Sequence, residues 1–303
     1  MAEPRTIVRL APGQRDLPYD LFNLHPLGPL LGAEVSGLDL RVSPTSAVRS
    51  EIERALLEWK VIFFRDQYLT AGQYAAFAQL WGKIEENPFM SNDENGDTSR
   101  LSVNDSEIGR QKVWCTDATW RSNPPKCCMQ RIIEPPSVGT GDTVWADTGA
   151  AYDNLPKDVK TFIQPLDAVH DFVPSFGLSL PADKLKEYRL RFPLLAHPVV
   201  RTHPITFRKT LFINAAYTTH IPALTLVESE MLMRFLLAQA SIPELQIRWR
   251  WRAGDIAFWD NRATWRYAVS DYFPQTRIAE LIAIEGDVPF ADQGIQGRHI
   301  QGG

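Results

Sequence analysis

Three apolar runs close the chain, Gln246 to Trp251, Asp255 to Trp259 and Arg277 to Ile284. In the first, Arg248, Arg250 and Arg252 alternate with Trp249 and Trp251. An extended strand puts successive side chains on opposite faces, so this segment has one apolar and one charged face. The same parity places Arg277, Ala279, Leu281 and Ala283 on a shared face, expected to line the interior of a barrel. Further short runs lie upstream: Val61 to Phe64, bounded by Arg65 and Asp66, and Cys127 to Ile133 after Pro124-Pro125. The turn Gly139-Thr140-Gly141-Asp142 feeds another, and His197–Pro204 faces Thr210–Asn214 across a turn. Short strands with regular turn signals and a few covering helices imply a mainly β (α+β) chain folded as a two-sheet jelly roll.

The covering helices have their own signals. Ser43-Pro44 is read as opening one, with Val48, Ile52, Ala55, Leu56 and Trp59 as its buried stripe. Thr70-x-x-Gln73 and Thr225-x-x-Glu228 are capping boxes. The first starts a helix carrying Tyr74, Phe77 and Leu80; the second starts one expected to turn Met231, Leu232, Phe235 and Leu236 inward. Shorter helices are expected after Pro156 and over Lys184–Arg191. Residues 1–20 read as a loose arm, 21–291 as one domain and 292–303 as a tail. Asn87 to Gln111 is rich in Asn, Asp, Ser and Gly, and residues 87–112 are expected to form a lid over a site.

Charge and cysteine content exclude several classes of function. The net charge is −4 with no basic block, which argues against a nucleic-acid partner. No apolar run reaches the ~18 residues that a membrane span needs. Three cysteines, Cys115, Cys127 and Cys128, with two adjacent, make no disulfide framework; a reducing, cytoplasmic setting is the expectation.

Two segments carry the chemistry: Val113-Trp114-Cys115-Thr116-Asp117-Ala118-Thr119-Trp120 and Asp260-Asn261-Arg262-Ala263-Thr264-Trp265-Arg266-Tyr267. Together with G-P-L-L-G-A-E-V-S-G-L-D-L from Gly28, G-D-T-V-W, H-P-V-V-R-T-H-P and R-W-R-W, they give a collinear match from about Leu27 to Phe290. Over this span the chain resembles the taurine dioxygenase (TauD/TfdA-like) branch of the iron(II)/2-oxoglutarate-dependent oxygenases. The resemblance implies their double-stranded β-helix. In that family the two segments read W-H-T-D and D-N-R-x-T-x-H-Y, and their two His and one Asp hold the iron. Here Asp117 keeps the carboxylate, while Cys115 and Arg266 stand at the two His positions. The resemblance also gives Thr143 and Arg277 as holders of the distal carboxylate of 2-oxoglutarate, for which a planar guanidinium is well shaped. Leu281 stands where taurine enzymes carry a sulfonate-binding Arg, and Asn87 and Met90 where they use His and Tyr. Taurine is therefore not the expected substrate.

An arginine has no lone pair to offer a metal, and Cys115 with Asp117 is not the usual donor set for ferrous iron. His170, His197 and His203 match family histidines that are not ligands. The expectation is thus a site without iron, with no cofactor required and 2-oxoglutarate left open as a ligand of Thr143 and Arg277. Arg266 is expected to stand in for the metal charge beside Asp117, either as an acid–base or electrostatic group or as a plain ion pair. Cys115 is a candidate nucleophile. Trp114, Trp120 and Trp265 are candidates for an aromatic pocket mouth. Three functions follow: a metal-independent, redox-neutral enzyme on a small molecule; a silent paralogue that partners an active oxygenase or senses 2-oxoglutarate; or an oxygenase with an atypical ligand set. The family resemblance leans towards a homo-oligomer.

Overall fold

Alternation along one short strand sets the layering. Val61 and Phe63 belong to one apolar cluster and Ile62 and Phe64 to another, because neighbours in a strand face opposite ways. Both faces of this strand are buried, so it lies inside a three-layer stack of helices, sheet and second sheet. The computed structural model describes residues 7–10, 13–89, 91–92, 99–103, 113–137, 139–292 and 298–299.

In chain order the first half runs β1 (Asn23–Pro26), β2 (Ala33–Ser36), α1 (Ser46–Trp59), β3 (Val61–Phe64), α2 (Ala71–Gln79), β4 (Ile84–Glu85), β5 (Ser91–Asn92), β6 (Ser99–Val103), β7 (Cys127–Glu134), β8 (Thr143–Asp147), α3 (Thr148–Asp153) and α4 (Lys157–Ile163). It continues through β9 (Asp167–His170), α5 (Val173–Phe176), α6 (Ala182–Arg191), β10 (Leu195–Pro198), β11 (Val200–Thr202), β12 (Lys209–Leu211), β13 (Thr218–His220) and α7 (Leu226–Leu237). The last strands are β14 (Gln246–Trp249), β15 (Ile256–Asp260), β16 (Thr264–Ala268), β17 (Arg277–Ile284) and β18 (Arg298–His299).

The main sheet has the order β1-β2-β3-β15-β7-β17-β6-β5, with β4 also on β17. Its outer face packs on α1 and α2 through Ile52, Leu56, Tyr74 and Phe77. Its inner face carries Phe63, Cys128, Ile132, Ala257, Trp259, Ala279 and Leu281, and meets Trp145, Trp249 and Trp265 from the small sheet β14-β8-β16. This is the jelly roll, and the expected parity of β17 holds, with Arg277, Ala279 and Leu281 buried on the inner side. The charged and apolar faces of the Arg/Trp run hold too: Trp249 and Trp251 are buried while Arg248 and Arg250 are exposed.

Both capping boxes form, with Gln73 N on Thr70 Oγ1 and Glu228 N on Thr225 Oγ1. The first helix starts later than Ser43-Pro44, because the Thr45 hydroxyl accepts from Val48 N and caps it. On α7, Leu236 is buried, but Met231 and Phe235 are exposed at 67% and 44%, so the expected inward stripe is narrower. The run His197–Pro204 is divided: β10 pairs with β9, and only β11 pairs with β12. The span expected as a lid contributes β6, which pairs with β17 from Arg277 to Leu281, and β5 beside it; residues 104–112 lie outside those described. The tail adds β18 to β10. In the arm, Arg9 lies over the Trp59 ring and pairs with Glu58 and Asp16, so this part is docked on α1. No described helix is long and apolar enough to cross a membrane.

Candidate active site

Strand β16, between the turn at Asp260–Ala263 and Ala268, was not among the strands expected from the sequence, and it delivers Arg266 to the site. The turn before it is locked by a buried carboxylate. Asp260 accepts from Arg262 Nε and NH2 and lies 2.9 Å from His203 Nε2. Burial alone would raise the Asp260 carboxyl, but Arg262 and His203 outweigh it and hold it well below the usual carboxylate range.

The segment 115–117 is stitched to this strand. Cys115 N donates to Arg266 O at 2.9 Å and Arg266 N to Cys115 O at 2.7 Å, an antiparallel bridge. Thr116 Oγ1 donates to Thr264 O at 3.0 Å. Asn261 then clamps the backbone of Asp117, accepting from its N at 2.9 Å and donating to its O at 3.0 Å. Asn261 sits in the D-N-R segment, yet nothing in its residue type announced this role.

These contacts bring together the three positions singled out in the sequence. Arg266 NH2 donates to Asp117 Oδ1 at 2.8 Å, with side chains only 11% and 14% exposed. Burial would lower the Arg266 pKa, but the Asp117 carboxylate more than compensates and keeps the guanidinium charged. The guanidinium also lies 5.3 Å over the Trp259 ring. Asp117 Oδ2 and Arg266 Nε are buried without hydrogen-bond partners among the described residues.

A second cation lies deeper. Arg277, 3% exposed, donates from NH2 to Thr143 Oγ1 at 3.1 Å, and Trp251 Nε1 donates to the same oxygen at 2.9 Å. Burial pushes the Arg277 pKa down to about 10, and the charge of Arg266 acts in the same direction. It is still a cation at neutral pH. Among the described residues no carboxylate forms a salt bridge with it, and its Nε is buried unpaired.

The other expected residues are distributed less favourably. Asn87 is half-buried and its Oδ1 accepts from Phe89 N, while Met90 lies outside the described residues. Leu281 faces inward from β17. Trp114 is half-buried beside Tyr267. Trp265 lies in the core and lines none of the described cavities, whereas Trp120, though largely buried, lines a surface cavity with Arg121 and Phe192. Trp120 is buried among Phe89, Phe172 and Phe192, and Trp265 is fully buried with its Nε1 on Ile213 O. Neither the fused ring nor its neighbours in sequence reveal which Trp is core.

The surroundings of half-buried Cys115 do not favour the reading of it as a nucleophile. Burial pushes its thiol up to about 12, against a smaller lowering by Arg266, and the Sγ lies 3.4 Å from Arg266 O. A thiol so placed is almost wholly protonated at neutral pH. We expect Cys115 in the folded protein to react with iodoacetamide at pH 8 at least about ten times more slowly than a free cysteine. Mass spectrometry of the labelled protein checks this; alkylation of Cys115 at the rate seen in urea would contradict it.

The segment around Asp117, the turn at Asn261 and the Thr143/Arg277 pair all lie within the span that a known family matches. The family model for taurine catabolism dioxygenase TauD, TfdA family, matches residues 23–281. The chain belongs to the TauD/TfdA family. Among its TauD/TfdA relatives, the alpha-ketoglutarate-dependent sulfate ester dioxygenase of Pseudomonas putida is 36% identical over 282 residues, covering 90% of this chain and 92% of that protein. A taurine dioxygenase from Burkholderia xenovorans superposes with a TM-score of 0.81 at 32% identity, covering 93% of this chain and 97% of the other. AAD-2, solved in complex with Mn(II) and N-oxalylglycine, gives a TM-score of 0.77 at 27% identity over 88% and 98% of the two chains.

These relatives overturn the expectation of a cofactor-free protein. The Pseudomonas enzyme depends on alpha-ketoglutarate (2-oxoglutarate), and AAD-2 was captured with a divalent metal and an oxo-dicarboxylate. They likewise favour an oxygenase over a metal-independent, redox-neutral enzyme. The residues described here meet that requirement in part. The orphaned Asp117 Oδ2 suits a cation, and Arg277 suits a carboxylate. Cys115 as a neutral thiol and Arg266 as a cation do not supply the family's two remaining donors. No group of three His, Cys, Asp or Glu among the described residues is arranged to hold a metal. His170 is turned to Thr119 Oγ1 and His203 to Asp260. The usual three-donor iron set does not fit these positions.

Proposed function

We propose that this chain is a 2-oxoglutarate-dependent TauD/TfdA oxygenase with an atypical ligand set that keeps Asp117 and does not include Arg266, acting on a small organic anion other than taurine. One observation supports it above the others: Arg277 is a buried guanidinium with no carboxylate partner among the described residues, facing the barrel interior beside the Thr143 hydroxyl. A buried charge without a counter-charge is costly, and a ligand carboxylate relieves that cost. The dependence of the Pseudomonas relative on alpha-ketoglutarate supports 2-oxoglutarate as that ligand, and its sulfate ester substrate supports an anionic one. Leu281 at the inner face offers no charge to a sulfonate, which supports exclusion of taurine.

In this reading Arg277 and Thr143 hold the distal carboxylate, and Trp251 fixes the Thr143 hydroxyl that they share. Asp117 and Arg266 line the other end, where their ion pair excludes water from the space between the sheets. That same pair favours a second reading, a family member that binds 2-oxoglutarate without oxidative turnover, because the guanidinium sits on the carboxylate that a metal would use.

Titration of the purified protein with 2-oxoglutarate, with and without iron(II), separates these readings when paired with elemental analysis and succinate release. Binding with turnover is the result expected for the oxygenase. Binding without succinate release supports the second reading, and no binding in either condition overturns both.

A further inference from the structure

Gln130 lies at the centre of β7, 1% exposed, and neither its Nε2 nor its Oε1 has a hydrogen-bond partner among the described residues. Its neighbours along the strand fix the direction in which it points. Met129 packs in the outer cluster under α1 and α2. Arg131 pairs with Glu280 and lies over Tyr74, also on the outer side. Cys128 and Ile132 belong to the inner cluster, so Gln130, two residues from each, faces inward. Across the sheet it is paired with Leu281 on one side and Ala257 on the other, both apolar and both in the inner cluster.

This placement lies between the two charged ends of the site. Cys128, one inward step away, is paired with Trp259, the ring under the Arg266 guanidinium. In the other direction along β17, Arg277 begins the strand four positions before Leu281, roughly 13 Å at strand rise. A fully buried carboxamide that satisfies neither donor nor acceptor is destabilising in the empty protein. Structural residues at such positions are ordinarily apolar or paired. An amide retained at the midpoint of an anion-binding barrel is explained by a ligand that carries a polar group between its two carboxylates.

We propose that Gln130 is a specificity-determining residue that recognises the oxo group of the bound dicarboxylate by hydrogen bonding, distinguishing a 2-oxo acid from its deoxy counterpart. The proposal rests on the 2-oxoglutarate reading above. A site built to hydrogen-bond a polar group discriminates strongly against the analogue that lacks it, because the buried partner is then left unpaired.

The test compares 2-oxoglutarate with glutarate, which has the same chain length and charge but no oxo group, by equilibrium titration in Mn(II)-containing buffer. The full-length protein and its Gln130→Leu and Gln130→Met variants are used. Wild type is expected to prefer 2-oxoglutarate by about tenfold or more. Either variant should reduce that preference to less than about threefold, chiefly by weakening 2-oxoglutarate and sparing glutarate. Without ligand both variants should melt at or above the wild-type temperature, since an unsatisfied amide has been removed; the methionine variant guards against repacking by the branched leucine. A variant that folds and keeps the wild-type preference overturns the proposal, as does a wild type that binds both dicarboxylates equally. That second result leaves the 2-oxoglutarate site intact. Failure of wild type to bind either compound overturns the underlying reading and this one with it.

Discussion

An Arg277→Leu variant is expected to bind 2-oxoglutarate at least about 30-fold more weakly than wild type while being more stable without ligand. The two effects have opposite signs for one reason. In the free protein the Arg277 guanidinium is buried and, among the described residues, bonded only to the Thr143 hydroxyl and not matched by a carboxylate. Leucine removes a desolvated charge, so the melting temperature should rise. With ligand present, the same substitution deletes the counter-charge of a buried carboxylate, a loss of about 2–5 kcal/mol. Each 1.4 kcal/mol is roughly tenfold in affinity. Arg277→Lys should fall between, since it keeps the charge but loses the planar two-point grip. Paired thermal melts and titrations decide the matter. Unchanged 2-oxoglutarate affinity in a folded Arg277→Leu protein would remove the main support for the proposed function.

The second large effect is expected at the Asp117–Arg266 pair. Arg266→Ala should destabilise the protein by about 3 kcal/mol, because it strands the Asp117 carboxylate in a mostly buried site. A double variant, Asp117→Asn with Arg266→Met, should recover most of that loss, since removing both charges avoids the desolvation cost of either. Urea unfolding of the single and double variants gives both numbers. A cost below about 0.5 kcal/mol for Arg266→Ala would mean that water or a bound cation already satisfies Asp117. Metal binding provides an independent reading of the same pair, for Arg266→Ala vacates the position beside Asp117 Oδ1.

Much of this site was legible before any coordinates, and the physical reason is local. Strand parity put Arg277 and Leu281 on the inner face, and the β17 backbone obeys it. Capping boxes at Thr70 and Thr225 work within four residues, so they appear in the sequence and reappear in the helices. Cys115 and Arg266 at the two positions where the resemblance implies histidine were visible as well. From those residues alone, however, a cofactor-free protein was expected, and the relatives correct that. Residue replacement at a ligand position says what cannot ligate, and leaves open what the remaining cavity still binds.

Long-range packing accounts for what was missed. Trp120 and Trp265 have the same residue type, yet Trp265 is core while Trp120 lines a surface cavity, since burial depends on which segments meet them. Met231 and Phe235 fit a helical apolar stripe, yet nothing in the described fold covers them fully. Cys115 had the charged neighbours of a reactive thiol, and burial outweighs them.

By itself, then, the sequence determined the jelly roll and the parity of its inner strands, because these follow from periodicity and turn chemistry, while the positions of the site residues rest on the family resemblance. Only the tertiary structure decided that Arg266 closes on Asp117 and that, among the described residues, Arg277 is left without an acid and the Gln130 amide is stranded between them. Those facts concern whether a buried polar group has a partner, and that partner comes from segments more than a hundred residues away.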